Sequence, residues 1–238
     1  MDRNLRIENM GVVSYGPMLA LQEQRHLDIQ QGKSDDTLFL LEHWPVVTSG
    51  RNGKTESLLA SESELKRRGV QFYCTGRGGD VTYHAPGQVV GYPIVELQES
   101  ERDIKSYVWK LEEILIRTSQ DYGLKAERIE GLRGIWVGER KLAAIGVRLS
   151  RWVTMHGFAL NVSVDLSGFG LIVPCGLYGK GVTSLGLELG EAPPLGHVQS
   201  KLGAHAADVL GRQSYQALPT GLPAPIVTED SVRIPAVR

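Results

Sequence analysis

Apolar positions along the 238 residues fall into two periods. Alternating or continuous apolar runs bounded by Gly, Pro or Asn predict strands at about Thr37 to Glu42, Val70 to Cys74, Gln88 to Val95, Gly134 to Val137, Lys141 to Leu149 and Val153 to Val162. A different spacing, steps of three and four, links Ile104, Tyr107, Val108, Leu111, Ile114, Leu115 and Tyr122 and predicts a helix with Asp103 as N-cap and Gly123 as stop. Ser61 and Glu64 form a capping-box pattern ahead of Leu65, so a shorter helix is expected to end at Gly69. Further helices are expected at Met18 to Gln31 and His197 to Leu210. Strands follow one another from Gly134 to Val162 through turns such as S-R-W, which predicts an α+β fold with a mixed sheet flanked by helices rather than a doubly wound one.

Composition narrows the picture to one globular domain: 42% of residues are hydrophobic, and 26 Lys and Arg against 27 Asp and Glu leave a formal charge of -1. A catalytic domain over residues 1–215 is expected, followed at 216–238 by a tail whose stretch from Thr220 is Pro-rich and aperiodic. Near-neutrality supplies no global field for nucleic acid or an anionic membrane. The first residues lack the apolar core of a signal peptide, and no run approaches the roughly 18 apolar residues of a membrane span, so a cytoplasmic protein is expected. Cys74 and Cys175, without C-x-x-C or C-x-x-H companions, give no disulfide framework; each is a buried small hydrophobe or a reactive thiol. His26, His43, His197 and His205 lack ligand spacing, so no metal is expected.

Three segments could carry chemistry. In R-G-G-D-V-T-Y-H-A-P-G-Q, from Arg77 to Gln88, two adjacent glycines allow close backbone approach, Arg77 is a fixed cation and His84 sits on a constrained turn. It reads as a binding loop, though a plain glycine-rich connection has the same composition. In K-L-A-A-I-G-V-R, simple alternation puts Lys141 on the side of Ala143, Ile145 and Val147, with Leu142, Ala144, Gly146 and Arg148 opposite. A desolvated lysine there suits a base or a partner for an anion; a lysine snorkelling from the strand end is the alternative. In F-G-L-I-V-P-C-G-L-Y-G, Pro174 and Gly176 leave the Cys175 sulfur open to a carbonyl, which suits a nucleophile if a nearby cation, base or helix N-terminus favours the thiolate. A lone cysteine can equally be inert core. In W-V-T-M-H-G-F-A-L-N-V, Gly157 and Ala159 share a face with Met155 and leave room for an extended apolar ligand, while alternation turns His156 the other way.

Taken together and in this order, R-G-G-D-V-T-Y-H-A-P-G-Q, K-L-A-A-I-G-V-R, H-G-F-A-L-N-V and I-V-P-C-G-L resemble the octanoyltransferase family of lipoate biosynthesis, from about Tyr15 to Leu210. Ala85 stands where that family more often has glycine. The resemblance implies the catalytic-domain fold of biotin and lipoate protein ligases. It also implies transfer of an octanoyl group from octanoyl-acyl carrier protein to a lysine of lipoyl domains, those of 2-oxoacid dehydrogenase complexes and the glycine-cleavage carrier protein, without a cofactor. In the family pattern Cys175 is the nucleophile that forms a thioester acyl-enzyme, and Lys141 lowers its pKa and assists proton transfer. The substrate-binding stretches are Arg77, Gly78, Gly79, Asp80, Val81, Thr82, Tyr83 and His84; Ala144, Ile145 and Gly146; and Gly157, Phe158 and Ala159.

Thioester exchange followed by aminolysis to an amide runs downhill without nucleotide or metal. The competing readings are an ATP-dependent lipoate or biotin protein ligase, which has no need of Cys175, a non-catalytic lipoyl-domain or carrier-binding module, and a papain-like hydrolase, whose C-G-[SA]-C-[WY] signature is absent. The densest local cations, Lys66, Arg67, Arg68, Arg148 and Arg151, are candidates for docking an acidic carrier; a solvated helix end explains the first three as well.

Overall fold

The computed structural model describes residues 4–173 and 180–222. In chain order its elements are β1 (Asn4–Val13), α1 (Tyr15–Gln30), β2 (Asp36–His43), β3 (Val46–Ser49), α2 (Glu62–Arg67), β4 (Gln71–Cys74), β5 (Val81–His84), β6 (Gln88–Ile94), α3 (Ile104–Gln120), β7 (Glu127–Ile129), β8 (Leu132–Val137), β9 (Arg140–Ser150), β10 (Val153–Asn161), β11 (Gly181–Val182), α4 (Leu185–Leu189), α5 (Leu195–Leu210) and β12 (Gln213–Ala217). The expected strands and helices are all present. Asp103 caps α3, its carboxylate accepting from the N–H groups of Lys105 and Ser106 at 3.0 and 3.1 Å, and the Ser61 hydroxyl accepts from Glu64 N–H at 3.2 Å. No helix among the described residues is long and apolar enough to cross a membrane.

The large sheet runs β12-β1-β2-β6-β10-β9-β8-β7, with β11 paired to β9. It is mixed: β12, β1 and β2 run parallel, and the neighbours from β2 to β7 run antiparallel. On one face α3 and α5 bury Leu111, Ile114, Leu115 and Leu202 against Leu38, Leu40, Val89 and Leu160. On the other, α1 covers Phe39, Leu41, Val90, Met155 and Ala159 with Met18, Leu21 and Ile29. Beside α1 stands a small sheet, β4-β3-β5, whose apolar side packs with Phe169 and Leu171. The groove between this small sheet and the strands β6, β10 and β9 is where the candidate residues gather.

Three expectations need correction. Arg77 to Gln88 is not one loop, because β5 runs through its middle, antiparallel to β3. The face assigned to Lys141 is reversed: Trp136 pairs with Lys141 and Ile135 with Ala143, so Leu142 is the extra residue of a β-bulge and the alternation changes phase there. The boundary at 215/216 falls inside β12, which pairs with β1 through Ala217, and Thr220 is still held, its N–H donating to the Glu8 carboxylate at 2.6 Å. Residues 223–238 of the expected tail lie outside the described residues.

Candidate functional site

Local structure sorts the expected residues. Alternation along β5 sends Tyr83 towards Phe169, with ring centroids 5.6 Å apart, and turns Thr82 and His84 towards the groove. A narrow cavity of about 40 Å³ there is lined by Arg77, Gly79, Asp80, Val81, Thr82, His84, Ala144, Ile145, Gly146, Gly157, Phe158 and Ala159. The structure thus brings together most of three stretches far apart in sequence. Ile145 and Phe158 place their side chains in the core beneath α3 and α5, so their contribution to the cavity is mainly backbone. Gly78 faces a larger cleft instead.

Close approach explains the glycines. A Cβ on Gly146 would stand 2.9 Å from the Gly78 carbonyl and 3.2 Å from Arg77 Cδ, and one on Gly157 would collide with the Gly91 carbonyl and the Pro93 ring. Gly157 is therefore required by strand packing rather than by ligand room. Arg77 is buried, and its guanidinium donates to Thr48 Oγ1 and to the Thr48 carbonyl, the latter at 2.6 Å, pinning the loop to β3.

Lys141 is buried, only 6% exposed, so the snorkelling alternative does not hold. Its Nζ lies 4.7 Å from the centre of the Trp136 ring, a geometry that favours an ammonium by about 2 kcal/mol when desolvated. Lys141 also borders a small cavity of about 10 Å³ with Thr82, Gln88, Ala144, Ala159 and Asn161. Thr82, Ala144 and Ala159 line both cavities, so they form a shared wall between His84 and Lys141.

Cys175 lies outside the described residues. The chain on either side of it is pinned. Val173 N–H donates to the Ser57 carbonyl at 2.8 Å, and Ser57 Oγ donates to Asp80, whose other oxygen accepts from Lys54 N–H at 3.1 Å. Asp80 is thus engaged on both oxygens in holding this flank. On the other side, Thr183 N–H donates to the Lys141 carbonyl at 2.9 Å, and β11 pairs Val182 with Lys141. Cys74 closes β4 away from this groove and is exposed rather than a buried small hydrophobe, while partial desolvation of its sulfur pushes the thiol pKa up.

Several site groups escaped sequence reasoning. His156 has φ +60, which breaks the alternation of β10 and turns its ring to the same cavity as Gly157 and Ala159, contrary to the expected opposite face. Tyr92 meets the His156 ring edge-on with centroids 6.4 Å apart, and His43 packs against Tyr92, Tyr15 and His84. His43 Nδ1 lies 3.0 Å from the Val13 carbonyl and must donate, so Nε2 accepts from the Tyr92 hydroxyl at 2.8 Å. Burial holds His43 down at about 4, and burial again, reinforced by neighbouring cationic groups, holds His84 and His156 at about 3. All three imidazoles are neutral at pH 7. Burial pushes Tyr15 up to about 12.

Alongside lies an open cleft of about 740 Å³ that reaches Lys141 and Gly146. Arg51, Lys54, Lys105 and Arg133 line it, and among the described residues none of these four has an ion-pair partner. The cations expected to dock a carrier are differently placed. Lys66 pairs with Glu62 at 2.6 Å along α2 and Arg68, its C-cap, with Glu64 at 2.8 Å, as a solvated helix end does.

Comparison with known proteins identifies the family to which this fold belongs. A family model, the lipoyl protein ligase A/B catalytic domain, matches residues 14–207. An octanoyltransferase of Solibacter usitatus is 51% identical over 217 residues, covering 91% of this chain and 96% of its own. Among solved structures, a lipoate-protein ligase A bound with ATP superposes with TM-score 0.76 at 17% identity, covering 92% of this chain and 90% of the other. A biotin protein ligase of Aquifex aeolicus does so with TM-score 0.54 at 12% identity, covering 87% and 70%. The mixed sheet and flanking helices are thus shared with both kinds of ligase, and the chain belongs to the lipoyl protein ligase A/B catalytic-domain family, among its octanoyltransferases.

Proposed function

We propose that this protein transfers an octanoyl group from octanoyl-acyl carrier protein to a lysine of lipoyl domains, through a thioester on Cys175. The observation that carries the reading is Lys141: its side chain is buried at the wall of the groove, and its backbone carbonyl, at the junction of β9 and β11, accepts from Thr183 N–H on the chain that follows the Cys175 segment. In the first half-reaction the Lys141 amine takes the thiol proton, Cys175 sulfur attacks the thioester carbonyl, and the carrier thiolate leaves with that proton. In the second, the acceptor lysine amine attacks the acyl-enzyme carbonyl, Lys141 receives its proton and returns it to the departing Cys175 sulfur, and an amide remains. Sulfur replaces sulfur, then nitrogen replaces sulfur, so no activation by nucleotide is needed.

About 40 Å³ is too little for the whole acyl chain, so its proposed path runs from the narrow cavity into the open cleft, which shares Gly79, Asp80, Ile145 and Gly146 with it. Burying about seven methylenes at roughly 0.8 kcal/mol each contributes on the order of 5 kcal/mol. Arg77, Gly79, Thr82, His84, Ala144, Gly146 and Ala159 are its proposed contacts, and the cationic cleft is the proposed approach for the acidic carrier. The proposed acceptors are the lipoyl domains of 2-oxoacid dehydrogenase complexes and the glycine-cleavage carrier protein. The test is transfer to an isolated lipoyl domain followed by intact mass. Octanoyl-acyl carrier protein should support octanoylation without ATP, whereas free octanoate with ATP and magnesium should not; the opposite outcome would make the protein a ligase.

A further inference from the structure

Four buried groups form a hydrogen-bonded chain from the cavity to the backbone of the lysine strand. His84 Nδ1 lies 2.7 Å from Gln88 Oε1, Gln88 Nε2 donates to Asn161 Oδ1 at 2.8 Å and to the Tyr83 carbonyl at 3.3 Å, and Asn161 Nδ2 donates to the Thr183 carbonyl at 2.9 Å. Both ends of the chain fix its direction. Tyr83 and Thr183 contribute carbonyls, which only accept, so each amide must turn its NH₂ towards a carbonyl. Asn161 therefore shows its oxygen to Gln88, and Gln88 its oxygen to His84. An oxygen facing His84 Nδ1 requires a proton on that nitrogen, leaving Nε2 bare.

Gln88 and Asn161 are 1% and 3% exposed, so water does not compete for these bonds. The same two side chains border the small cavity beside Lys141, and Thr183, at the far end, donates its own N–H to the Lys141 carbonyl. Arg77 before β5, His43 from β2 and His156 from β10 are the other titratable or charged groups facing His84, and Tyr15 stacks on it with ring centroids 6.4 Å apart. None of these bonds Nδ1.

We infer that Gln88 and Asn161 are positioning residues for the transfer reaction: they lock His84 as its Nδ1–H tautomer, so that it offers the cavity an acceptor and no donor, and they tie that lock through Thr183 to the strand bearing Lys141. The link to transfer rests on the function proposed above; the lock itself does not. Both amides therefore act through other groups.

The test is ¹⁵N NMR of histidine-labelled full-length protein, with His84 assigned by the signal lost in His84→Gln. Wild type should show a protonated Nδ1 and a bare Nε2 from pH 5 to 8. Asn161→Asp still accepts from Gln88 and should keep that tautomer while losing the bond to Thr183. Gln88→Leu should lose the tautomer, and Gln88→Glu, which retains an acceptor at Nδ1, should restore it while making His84 easier to protonate and adding an acid limb to the rate profile. In Gln88→Leu, kcat for transfer should fall roughly ten- to a hundred-fold, the scale of loss when a positioned group shifts by about an ångström, with the donor KM little changed. An Nε2–H or doubly protonated His84 in wild type overturns the inference, as does an unchanged tautomer in Gln88→Leu. Should Gln88→Leu fail to fold, the wild-type and Asn161→Asp spectra decide alone. A correct tautomer series in a protein that transfers no octanoyl group would instead refute the proposed function.

Discussion

The Nζ of Lys141 stands 4.7 Å from the centre of the Trp136 ring, both residues buried and paired across β8 and β9. In the mechanism proposed above, the ring face attracts the Lys141 ammonium that forms when Cys175 gives up its proton. Trp136→Leu should raise the apparent pKa of Cys175, measured by iodoacetamide rate against pH, and Trp136→Phe, which keeps a ring face, should raise it less. Lys141→Ala should raise it most; Lys141→Arg keeps a cation but no usable base, so it should preserve thiolate formation better than transfer. An unchanged profile in Lys141→Ala would separate the two residues. Trp136→Leu should also cost about 2–4 kcal/mol of stability as a large buried ring is lost.

Acid should unfold the protein earlier than its surface charge suggests. His43, His84 and His156 are held by burial at about 4, 3 and 3, against 6.5 in an unfolded chain. Their folded values are depressed, so as pH falls below about 6.5 the unfolded chain takes up protons that the native state refuses. Stability is full above that pH and is lost towards pH 4, by up to about 1.4 kcal/mol per pH unit for each histidine. Urea midpoints at pH 7, 6 and 5 check this. A flat series would mean that the three rings take up protons in the native state.

Much of this architecture was legible because apolar period and caps agree: α3 has both its stripe and its Asp103 cap, and β9 and β10 are near-continuous apolar runs. What stayed hidden has local physical causes. β1 and β12 carry buried Glu8 and a largely exposed Q-S-Y-Q-A, whose stability comes from pairing across the chain and from the Glu8–Arg25 ion pair at 3.2 Å, not from alternation. Two departures from alternation, the bulge at Leu142 and the positive φ of His156, reversed the expected faces of Lys141 and His156. Three of the quoted motifs supply the groove with backbone and small residues, whereas I-V-P-C-G-L lies largely outside the described residues. Gln88, Asn161 and Ser57 matter through partners tens of residues away or through backbone bonds, which no local pattern encodes.

Carrier docking should depend on the open cleft rather than on α2. Rising salt should raise the KM for the octanoyl-carrier donor while leaving single-turnover transfer at saturation nearly unchanged. Arg51→Glu with Arg133→Glu should mimic high salt, and Lys66→Glu with Arg68→Glu should not. Equal effects of the two pairs would remove the cleft as the docking surface.

The Pro-rich, aperiodic composition beyond Thr220 predicts little core contribution from the last residues, whereas β12 and Thr220 are bonded to the sheet. Deleting residues 223–238 should leave melting temperature and transfer rate close to those of the full chain. Deleting from Gln213 onward removes β12 and the Thr220 bonds to Glu8 and Arg25, and should lower the melting temperature by several degrees by exposing the β1 edge. A large loss with the shorter deletion would show that the tail shapes the domain or its site.

The central claim is a covalent octanoyl-enzyme on Cys175. Mixing the protein with octanoyl-acyl carrier protein in the absence of acceptor, then mapping peptides at low pH by mass spectrometry, measures it directly. The account predicts one octanoyl group, on Cys175, released as an amide when a lipoyl domain is added. A stable adduct on Cys74, or full transfer by Cys175→Ala, would contradict it.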